Sequence, residues 1–392
     1  MGCSKGDELN GVRIARVSTV PYFVVSQLKG QIEYLSRMGA KVVVVTSPGP
    51  ELKMITAENV SVETVEIPRS IQPLRDLMAL FRLFRCFRRY HFAIVHSTTP
   101  KAGLLCAVAG VLSRVPVRLH TFTGQPWVNL TGPVRQFARW ADWVIGRLST
   151  GCYADSESQR EFLVAEGVVP ASKIGVIGKG SLAGVDLQRF DPARWSGGEK
   201  SALRRELGLS ESGRTILFVG RITNDKGVGE LLKAFEALLH QDYDLDLLLV
   251  GPLDAELGGK AGLDVEALAK LSRVHHVGYT DCPERYMAIS DFLCLPSYRE
   301  GFGTVVIEAA AMGLPTLGTR IYGLSDAVED DVTGLLVPPR NVEALAGAMR
   351  AMLDDQSRLA RMGKAARARC IEYFDAAYVN SLLVAEYVRQ LP

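Results

Sequence analysis

Short runs of apolar, mostly β-branched residues alternate along the chain with longer segments in which apolar positions recur every three or four residues. Continuous apolar runs separated by helical periods are typical of parallel sheets wrapped by helices. The pattern breaks once, over residues 191–213, where Gly, Ser and charged residues surround one short helical stretch. It therefore predicts an α/β fold with two Rossmann-like, doubly wound parallel-sheet domains. The predicted strands are residues 12–17, 41–46, 62–67, 92–96, 117–121, 152–154 and 174–177 before the break, and 215–219, 245–250, 273–278, 292–296, 315–318 and 335–337 after it.

The length agrees with this division, because 392 residues exceed what one ordinary hydrophobic core organises. We expect a first domain over residues 1–195 and a second over residues 196–370. Residues 371–392 read as an amphipathic helix that packs back on the first domain. Ligands bind beyond the carboxyl ends of the strands in open parallel sheets, so two such domains are expected to face each other across a ligand-binding cleft.

Charge and cysteine usage exclude several classes of protein. With 45 basic and 43 acidic residues the net charge is +2, which argues against a general nucleic-acid-binding protein. The seven cysteines are scattered without a C-x-x-C pair, and the six histidines form no ligand pattern with them. We therefore expect reduced core cysteines, a cytoplasmic location and no metal site. The polar first ten residues predict a flexible leader instead of a secretory signal, and no apolar stretch reaches the roughly 20 residues of a membrane-spanning helix.

The most informative segment runs from residue 298 to residue 315. Glu300 and Glu308 lie eight positions apart around a Gly-Phe-Gly turn that leads into a predicted helix over residues 304–312. The unpaired N–H groups at a helix start favour an anion such as a diphosphate. Two carboxylates beside an anion site suit a ligand that also carries hydroxyl groups, such as a ribose and a second sugar. The segment predicts a site for a nucleotide-diphosphate sugar.

Two cations precede this segment in the second domain. Arg221 and Lys226 flank a tight loop that leaves the first predicted strand of that domain and ends at Gly227. Positive charges at the carboxyl end of a strand would neutralise the same diphosphate that the later helix start binds. We therefore group Arg221, Lys226 and Glu300 as candidate catalytic residues.

The combined pattern resembles the retaining glycosyltransferases of family 4, which have the GT-B fold. It consists of Gly220-Arg221 and Lys226-Gly227, then Glu300-Gly-Phe-Gly with Glu308-Ala-Ala-Ala-Met-Gly-Leu-Pro, then Asp331-Val-Thr-Gly-Leu-Leu-Val. The resemblance spans most of the chain and is strongest in the second domain. It implies that the reaction needs no metal or other cofactor. It also implies that Glu300 contacts the transferred sugar, Glu308 the ribose, and Arg221 and Lys226 the diphosphate. The backbone of Gly303, Thr304 and Val305 is implied to bind the distal phosphate. Gly251, Gly278 and Tyr279 follow strands where the family places its nucleotide base, and Gly220 is a further donor-binding candidate.

The first domain departs from the family pattern at the position next to the donor sugar. Many members have a histidine after a Thr-Phe pair, and this chain has Thr123 there. We expect Thr123 and Gly124 to line the sugar pocket. For His120, three residues earlier, a direct role at the donor and a role inside the core both stay open.

A metal-binding D-x-D pattern of the kind found in other glycosyltransferases occurs within residues 242–246. Its aspartates enter a predicted strand at the amino end, away from the edge where ligands bind. We therefore interpret them as a polar strand entry.

A basic amphipathic helix is predicted over residues 74–90. Arg75, Arg82, Arg85, Arg88 and Arg89 accompany a single acid and are interleaved with apolar residues. Such a helix is typical of contact with an anionic membrane surface, and it is equally typical of a helix packed on a sheet with a solvated basic face.

Together these features predict a glycosyltransferase. It would move a hexose or (N-acetyl)hexosamine from a nucleotide-diphosphate sugar, with UDP as the expected nucleotide, to a glycan acceptor. If the basic helix contacts a membrane, the expected acceptor is a polyprenyl-diphosphate-linked glycan of a bacterial surface polysaccharide. The enzyme would then bind this acceptor at the inner face of the cytoplasmic membrane. Two alternatives stay open: a nucleotide-sugar 2-epimerase of the same fold, and a catalytically idle scaffold in a polysaccharide assembly complex.

Overall fold

The structure is a computed structural model that describes residues 8–253 and 273–391. The chain divides into two compact units, the first formed by Met1–Gly184 with Ala376–Pro392 and the second by Val185–Asp375. The change of unit therefore lies about ten residues before the predicted boundary at 195. Val185 and Phe190 explain the difference, because both are buried in the core of the second unit. The predicted leader lies mostly outside the described residues.

The first unit is built on a parallel sheet of seven strands in the order β3-β2-β1-β4-β5-β6-β7. Most of its central residues are buried on both faces, which is why these strands read as continuous apolar runs. All seven strands were predicted, but β3 begins two residues and ends three residues before its predicted bounds, and β4 lies two residues after them. The strands are β1 Arg13–Val17, β2 Lys41–Thr46, β3 Val60–Thr64, β4 Ile94–Thr98, β5 Val117–Phe122, β6 Gly151–Ala154 and β7 Ile174–Val176.

Helices connect these strands in the way that parallel neighbours require. Short 3₁₀ turns occur at Pro50–Met54, Pro126–Asn129 and Ala171–Lys173, and a π-helix at Val24–Leu28. No helix in the described part of the chain is long and apolar enough to cross a membrane. The α-helices of this unit up to β7 are α1 Pro21–Phe23, α2 Lys29–Arg37, α3 Pro73–Tyr90, α4 Pro100–Leu112, α5 Gly132–Leu148 and α6 Glu157–Ala165.

The second unit contains a parallel sheet of six strands in the order β10-β9-β8-β11-β12-β13. Its helices begin at a capping box in which Ser196 and Glu199 bind each other's backbone N–H groups. The strands are β8 Arg214–Val219, β9 Leu245–Val250, β10 Val274–Gly278, β11 Phe292–Leu295, β12 Thr316–Thr319 and β13 Gly334–Val337. The described helices are α7 Gly197–Glu206, α8 Val228–Leu239, α9 Pro283–Met287, α10 Thr304–Ala311, α11 Leu324–Ala327, α12 Val342–Asp354 and α13 Gln356–Tyr373, with 3₁₀ turns at Pro192–Arg194 and Asn224–Lys226.

The C-terminal helix is shorter than predicted. Instead of one helix over residues 371–392, α13 ends at Tyr373 and a separate helix, α14, covers Ala376–Gln390. Phe374 is fully buried in the core of the second unit, whereas Leu383 and Tyr387 belong to the core of the first. The helix ends here because the apolar side chains before residue 375 pack in the core of the second unit, whereas those after it pack in the core of the first.

A buried polar network holds α14 against the sheet of the first unit. Arg16 on β1 donates to the Tyr387 hydroxyl at 3.3 Å, and this hydroxyl also lies 2.6 Å from His96 Nδ1 on β4. The other ring nitrogen of His96 lies 2.7 Å from Thr121 Oγ1 on β5. Burial, with the nearby Arg16 charge, lowers the pKa of His96 well below its usual value. The imidazole is therefore neutral, and each of its nitrogens has one hydroxyl partner.

Tyr387→Phe is expected to destabilise the first unit by about 1–3 kcal/mol, because it leaves a buried guanidinium and a buried imidazole without their shared partner. The measurement is the shift of the thermal unfolding midpoint of the purified protein. Tyr378→Phe on the exposed side of the same helix is the matched control. Equal midpoints for the two variants would contradict a structural role for the network.

Candidate functional site

Two loops at the carboxyl edge of the second sheet meet through an ion pair. Lys226, which ends the turn after β8, places its Nζ 2.5 Å from Glu300 Oε1, in the loop after β11. Both side chains are mostly buried, with 18 % and 14 % of their surface exposed. The Ser297 hydroxyl donates to the same carboxylate oxygen at 2.8 Å. Two of the three predicted catalytic side chains therefore lie in direct contact, and a buried serine orients one of them.

Backbone packing fixes this meeting of loops. The N–H of Tyr298 donates to the Asp225 carbonyl at 2.9 Å. Gly227 follows Lys226 with φ of 70°, and a Cβ at this position would fall far inside contact distance of the Pro296 carbonyl oxygen. Glycine is thus required here both for its backbone conformation and for the close approach of the two loops.

The helix α10 begins at Thr304, four residues after Glu300. Gly303, with φ of 88°, is its N-cap, and a Cβ there would lie 2.8 Å from Leu324 Cδ2. The first turn of α10 has no acidic side chain, and Thr304 and Val305 are partly exposed. The first N–H groups of a helix have no partner inside the helix and carry partial positive charge. The geometry therefore offers N–H donors for an anion beside the Lys226–Glu300 pair.

Glu308 lies one turn further along α10. It keeps some exposed surface, although protein atoms fill nearly all of its surroundings. This burial raises the pKa of Glu308 to about 7, while the neighbouring Arg189 acts in the opposite direction. Arg189 itself binds Glu284, with Nη2 2.8 Å from Oε2. Glu308 is therefore a carboxyl group that titrates near neutral pH beside a guanidinium.

Glycines follow three neighbouring strands of the same sheet. Gly220, Gly251 and Gly278 come at the ends of β8, β9 and β10, and backbone N–H bonds join Gly220 to Val250 and Gly251 to Gly278. A Cβ on Gly251 would collide with the Gly220 carbonyl oxygen. Arg221 and Tyr279, which come directly after two of these glycines, are exposed. The structure therefore places these predicted donor-binding residues along the same carboxyl edge.

The predicted residues of the first unit fall in two environments. His120 is buried on β5, where its Nδ1 lies 2.9 Å from Ser97 Oγ and its ring packs on Phe122 at 4.6 Å. Burial lowers the pKa of His120 to about 3, so the ring is neutral at pH 7. Thr123 and Gly124 come just after β5, and Thr123 is partly exposed. The geometry favours the core interpretation of His120 over a direct role at the donor.

The aspartates of the D-x-D pattern have partners in the structure. Asp244 and Asp246 both bind Arg273, and Asp246 also lies 3.0 Å from His275 Nε2. They stand at the amino end of β9, opposite the glycine-rich edge. These contacts favour the interpretation of the pattern as a strand entry.

Comparison with known families identifies the chain. Residues 199–369 match the family "Glycosyl transferases group 1", and residues 24–180 match the "Glycosyl transferase 4-like domain". The chain belongs to these glycosyltransferases. The matched segments lie in the second and first unit respectively, so both units contribute to the assignment.

Relatives and solved structures agree with this assignment. The glycosyltransferase is 28 % identical to the capsular polysaccharide biosynthesis glycosyltransferase CapM of Staphylococcus aureus, over 92 % of this chain and 93 % of the relative. It is 25 % identical to a UDP-Gal:alpha-D-GlcNAc-diphosphoundecaprenol alpha-1,3-galactosyltransferase of Escherichia coli, over 74 % and 73 % of the two chains. The structure of HepE of Anabaena with UDP and glucose superimposes with a TM-score of 0.78 at 20 % identity, covering 96 % and 98 %. The fold is GT-B, as the sequence predicted.

Sequence reasoning missed three polar residues of this site in the glycosyltransferase. Ser297 orients Glu300, while Arg189 and Glu284 form the charged surroundings of Glu308. All three residues stand outside the motifs that were recognised in the sequence.

Proposed function

We propose that this glycosyltransferase moves a hexose or (N-acetyl)hexosamine, with retention of configuration and without a metal, from a UDP-sugar to a polyprenyl-diphosphate-linked glycan. The reaction serves bacterial surface polysaccharide synthesis at the cytoplasmic face of the membrane. The names of two relatives support this proposal, since one refers to capsular polysaccharide biosynthesis and the other to a UDP-galactose donor with a diphosphoundecaprenol-linked acceptor. The HepE complex with UDP supports the nucleotide.

The contact between Lys226 and Glu300 carries the proposal. An ammonium group has three donors, so Lys226 can hold Glu300 and a phosphate oxygen together. Glu300 then accepts hydrogen bonds from hydroxyls of the transferred sugar, and the N–H groups at the start of α10 bind the distal phosphate. One cation thereby links the sugar to the leaving group.

The proposed reaction needs little proton chemistry from the protein. The acceptor hydroxyl attacks the anomeric carbon from the face that the diphosphate leaves, the bond from that carbon to the phosphate oxygen breaks, and this oxygen takes the proton. Negative charge therefore grows on the diphosphate. Lys226, Arg221 and the start of α10 stabilise that charge more strongly in the transition state than in the bound donor, which is the requirement for catalysis.

The direct test is a transfer assay with a panel of UDP-sugars and a synthetic polyprenyl-diphosphate-linked GlcNAc. We expect one donor to yield a disaccharide with the donor's anomeric configuration, at the same rate with and without EDTA. Loss of activity in EDTA contradicts metal independence, and an inverted product contradicts retention. Conversion of the donor alone to its C2 epimer would support the epimerase, and no turnover of any donor would support the scaffold.

Glu308 is expected to make donor binding pH-dependent. A carboxylate accepts from both ribose hydroxyls, whereas its protonated form loses part of that capacity. With a pKa of about 7 the group is mostly protonated at pH 6 and mostly ionised at pH 8. We therefore expect calorimetry to show the Kd of a UDP-sugar about tenfold weaker at pH 6 than at pH 8. The diphosphate diester of the donor does not titrate in this range.

Glu308→Gln is the control for this prediction. Glutamine has nearly the same shape and does not titrate, so the variant should bind the donor more weakly at pH 8 and show no change between pH 6 and pH 8. A pH dependence that persists in Glu308→Gln would assign the titration to another group.

Helix α3 is the proposed membrane contact. Its first half exposes Leu74, Leu77, Met78 and Phe81, with between 53 % and 81 % of each residue's surface accessible. The arginines predicted from the sequence are exposed along the same helix. Apolar side chains and arginines on one exposed helix suit the interface of an anionic membrane.

A further inference from the structure

The first half of α5 is exposed to solvent, as the first half of α3 is. Every residue from 131 to 137 is exposed, and the buried residues of α5 begin only at Asp142. A helix packed on a sheet normally buries one stripe along its whole length. The first two turns of α5 therefore project beyond the body of the unit.

The projecting turns and the turn that follows them present large apolar side chains to solvent. Val134, Phe137, Trp140 and Trp143 recur every three residues, and each has 44–55 % of its surface exposed. Phe137 and Trp140 contact each other with ring centroids 5.8 Å apart. A contiguous exposed patch of this composition marks an interaction surface in proteins that fold in water.

Arginines are interleaved with this apolar stripe. Arg135, Arg139 and Arg147 are exposed, and Arg147 stacks on the Trp143 ring at 5.8 Å. Asp142, the acid within the helix, is buried and accepts from Trp127. A groove of about 520 Å³ lies here, lined by Arg135, Gln136, Arg139, Trp140, Trp143 and residues 166–168. Its one acid, Glu166, pairs with Arg139. The surface is apolar and positively charged.

Helices α3 and α5 present their apolar halves at the same end of the first unit. Helix α4 packs against both of them. Each helix returns antiparallel to the parallel strands, so the helix starts lie at the carboxyl edge of the sheet. The exposed apolar residues of α3 belong to its first half, and those of α5 to its first three turns. Because α4 lies between α3 and α5, the two patches are two interhelical distances apart, or about 20 Å.

We propose that α5 is a second membrane-binding element, whose aromatic stripe enters the interface of an anionic bilayer while Arg135 and Arg139 bind lipid phosphates. Tryptophan prefers the headgroup level of a bilayer, and amphipathic helices bury their apolar face about 5–10 Å deep. A symmetric contact between two copies would place the same arginine-rich surface against itself, which like charges oppose. The inference rests on the proposed function in that a lipid-linked acceptor requires such docking.

The test is co-sedimentation of the full-length protein with vesicles of phosphatidylcholine alone and with vesicles that contain about 30 mol % phosphatidylglycerol, an anionic lipid. We expect binding to the anionic vesicles only. Arg135→Glu with Arg139→Glu should weaken this binding at least tenfold, and Trp140→Ser with Trp143→Ser by a similar factor. The matched control is Arg205→Glu with Arg361→Glu, which makes the same change of net charge at exposed positions of the second unit and should bind as the unmodified protein does.

Insertion is tested separately with brominated lipids, which quench tryptophan fluorescence at the bilayer interface. We expect quenching of the unmodified protein and its loss in the Trp140→Ser, Trp143→Ser variant, with unchanged circular dichroism. Three results would overturn the proposal: unchanged vesicle binding of both α5 variants, absence of binding by the unmodified protein, or a dimer in analytical ultracentrifugation that the tryptophan variant dissociates.

Vesicle binding and sugar transfer fail independently. If the proposed function is wrong, the protein still binds anionic vesicles but transfers no sugar to any acceptor. If the inference is wrong, transfer to a short-chain, water-soluble acceptor persists and the α5 variants bind vesicles normally.

Discussion

Lys226→Ala is expected to lower the kcat of sugar transfer about a hundredfold, which corresponds to roughly 3 kcal/mol of transition-state stabilisation. Lys226 is mostly buried and bound to Glu300, so its charge acts where little water competes for it. The measurement is the release of UDP from saturating donor and acceptor. Lys233→Ala on α8, an exposed position, is the control and should turn over normally.

The double variant Lys226→Ala, Glu300→Gln separates the two consequences of losing the lysine. Lys226→Ala leaves the Glu300 carboxylate, which is only 14 % exposed, without its positive partner. The unpaired, mostly buried charge should by itself lower the thermal unfolding midpoint. Removing the carboxylate charge as well should restore the midpoint but not the turnover. Recovery of turnover in the double variant, or near-normal turnover in Lys226→Ala, would contradict the role of Lys226 at the leaving group.

The relation between Lys226 and Glu300 shows what the sequence could predict about the site. Each residue was recognisable because glycine turns and a helix start surround it at typical spacings. Their contact was not predictable, because it depends on how closely the loops after β8 and β11 approach. Two contacts set that approach: the close packing of Gly227 on the Pro296 carbonyl, and the hydrogen bond from the Tyr298 N–H to the Asp225 carbonyl. Each contact joins residues about 70 positions apart in the sequence.

Glu308 and Arg189 give a second example. The sequence indicated Glu308 as a hydroxyl acceptor but not its raised pKa, because burial depends on the packing of whole elements around α10. Arg189 lies within the segment that the sequence analysis assigned to the first domain. Once residues 185–195 are placed in the second unit, its charge beside Glu308 follows from the fold.

The strands were predictable because buried parallel strands leave continuous apolar runs in the sequence. Predicted strand ends were wrong where the run of apolar residues and the strand pairing end at different residues. Val65 and Ile67 are buried although β3 ends at Thr64, so the pattern alone extended that strand too far. The break at residues 374–375 was hidden for a similar reason, since apolar residues continue through it at helical spacing.

In the first unit, His120 shows the limit of a motif. Its sequence position near Thr123 left a role at the donor open, whereas the structure has it packed against Phe122 and bound to Ser97. Residues on a strand alternate between the faces of the sheet, and a helix covers each face. A donor contact from this unit therefore stays a prediction for Thr123 and Gly124, which come after the strand.

Gly227→Ala is expected to abolish transfer and to destabilise the second unit by several kcal/mol. The added methyl group would overlap the Pro296 carbonyl oxygen, so the turn that carries Lys226 would have to move away from the loop that carries Glu300. Backbone atoms cannot yield as a flexible side chain can. Loss of this approach separates Lys226 from Glu300, and a shift of 1 Å in such a site is enough to lower turnover strongly.

Gly208→Ala is the matched control for this prediction. Gly208 has φ of 69°, almost the value of Gly227, but a Cβ there would meet no atom within 4 Å. It therefore carries only the conformational cost of a left-handed residue, about 1 kcal/mol. Thermal unfolding and UDP release should show a small loss for Gly208→Ala and a severe one for Gly227→Ala. Similar behaviour of the two variants would mean that the close contact with Pro296 does not hold the two loops of the site together.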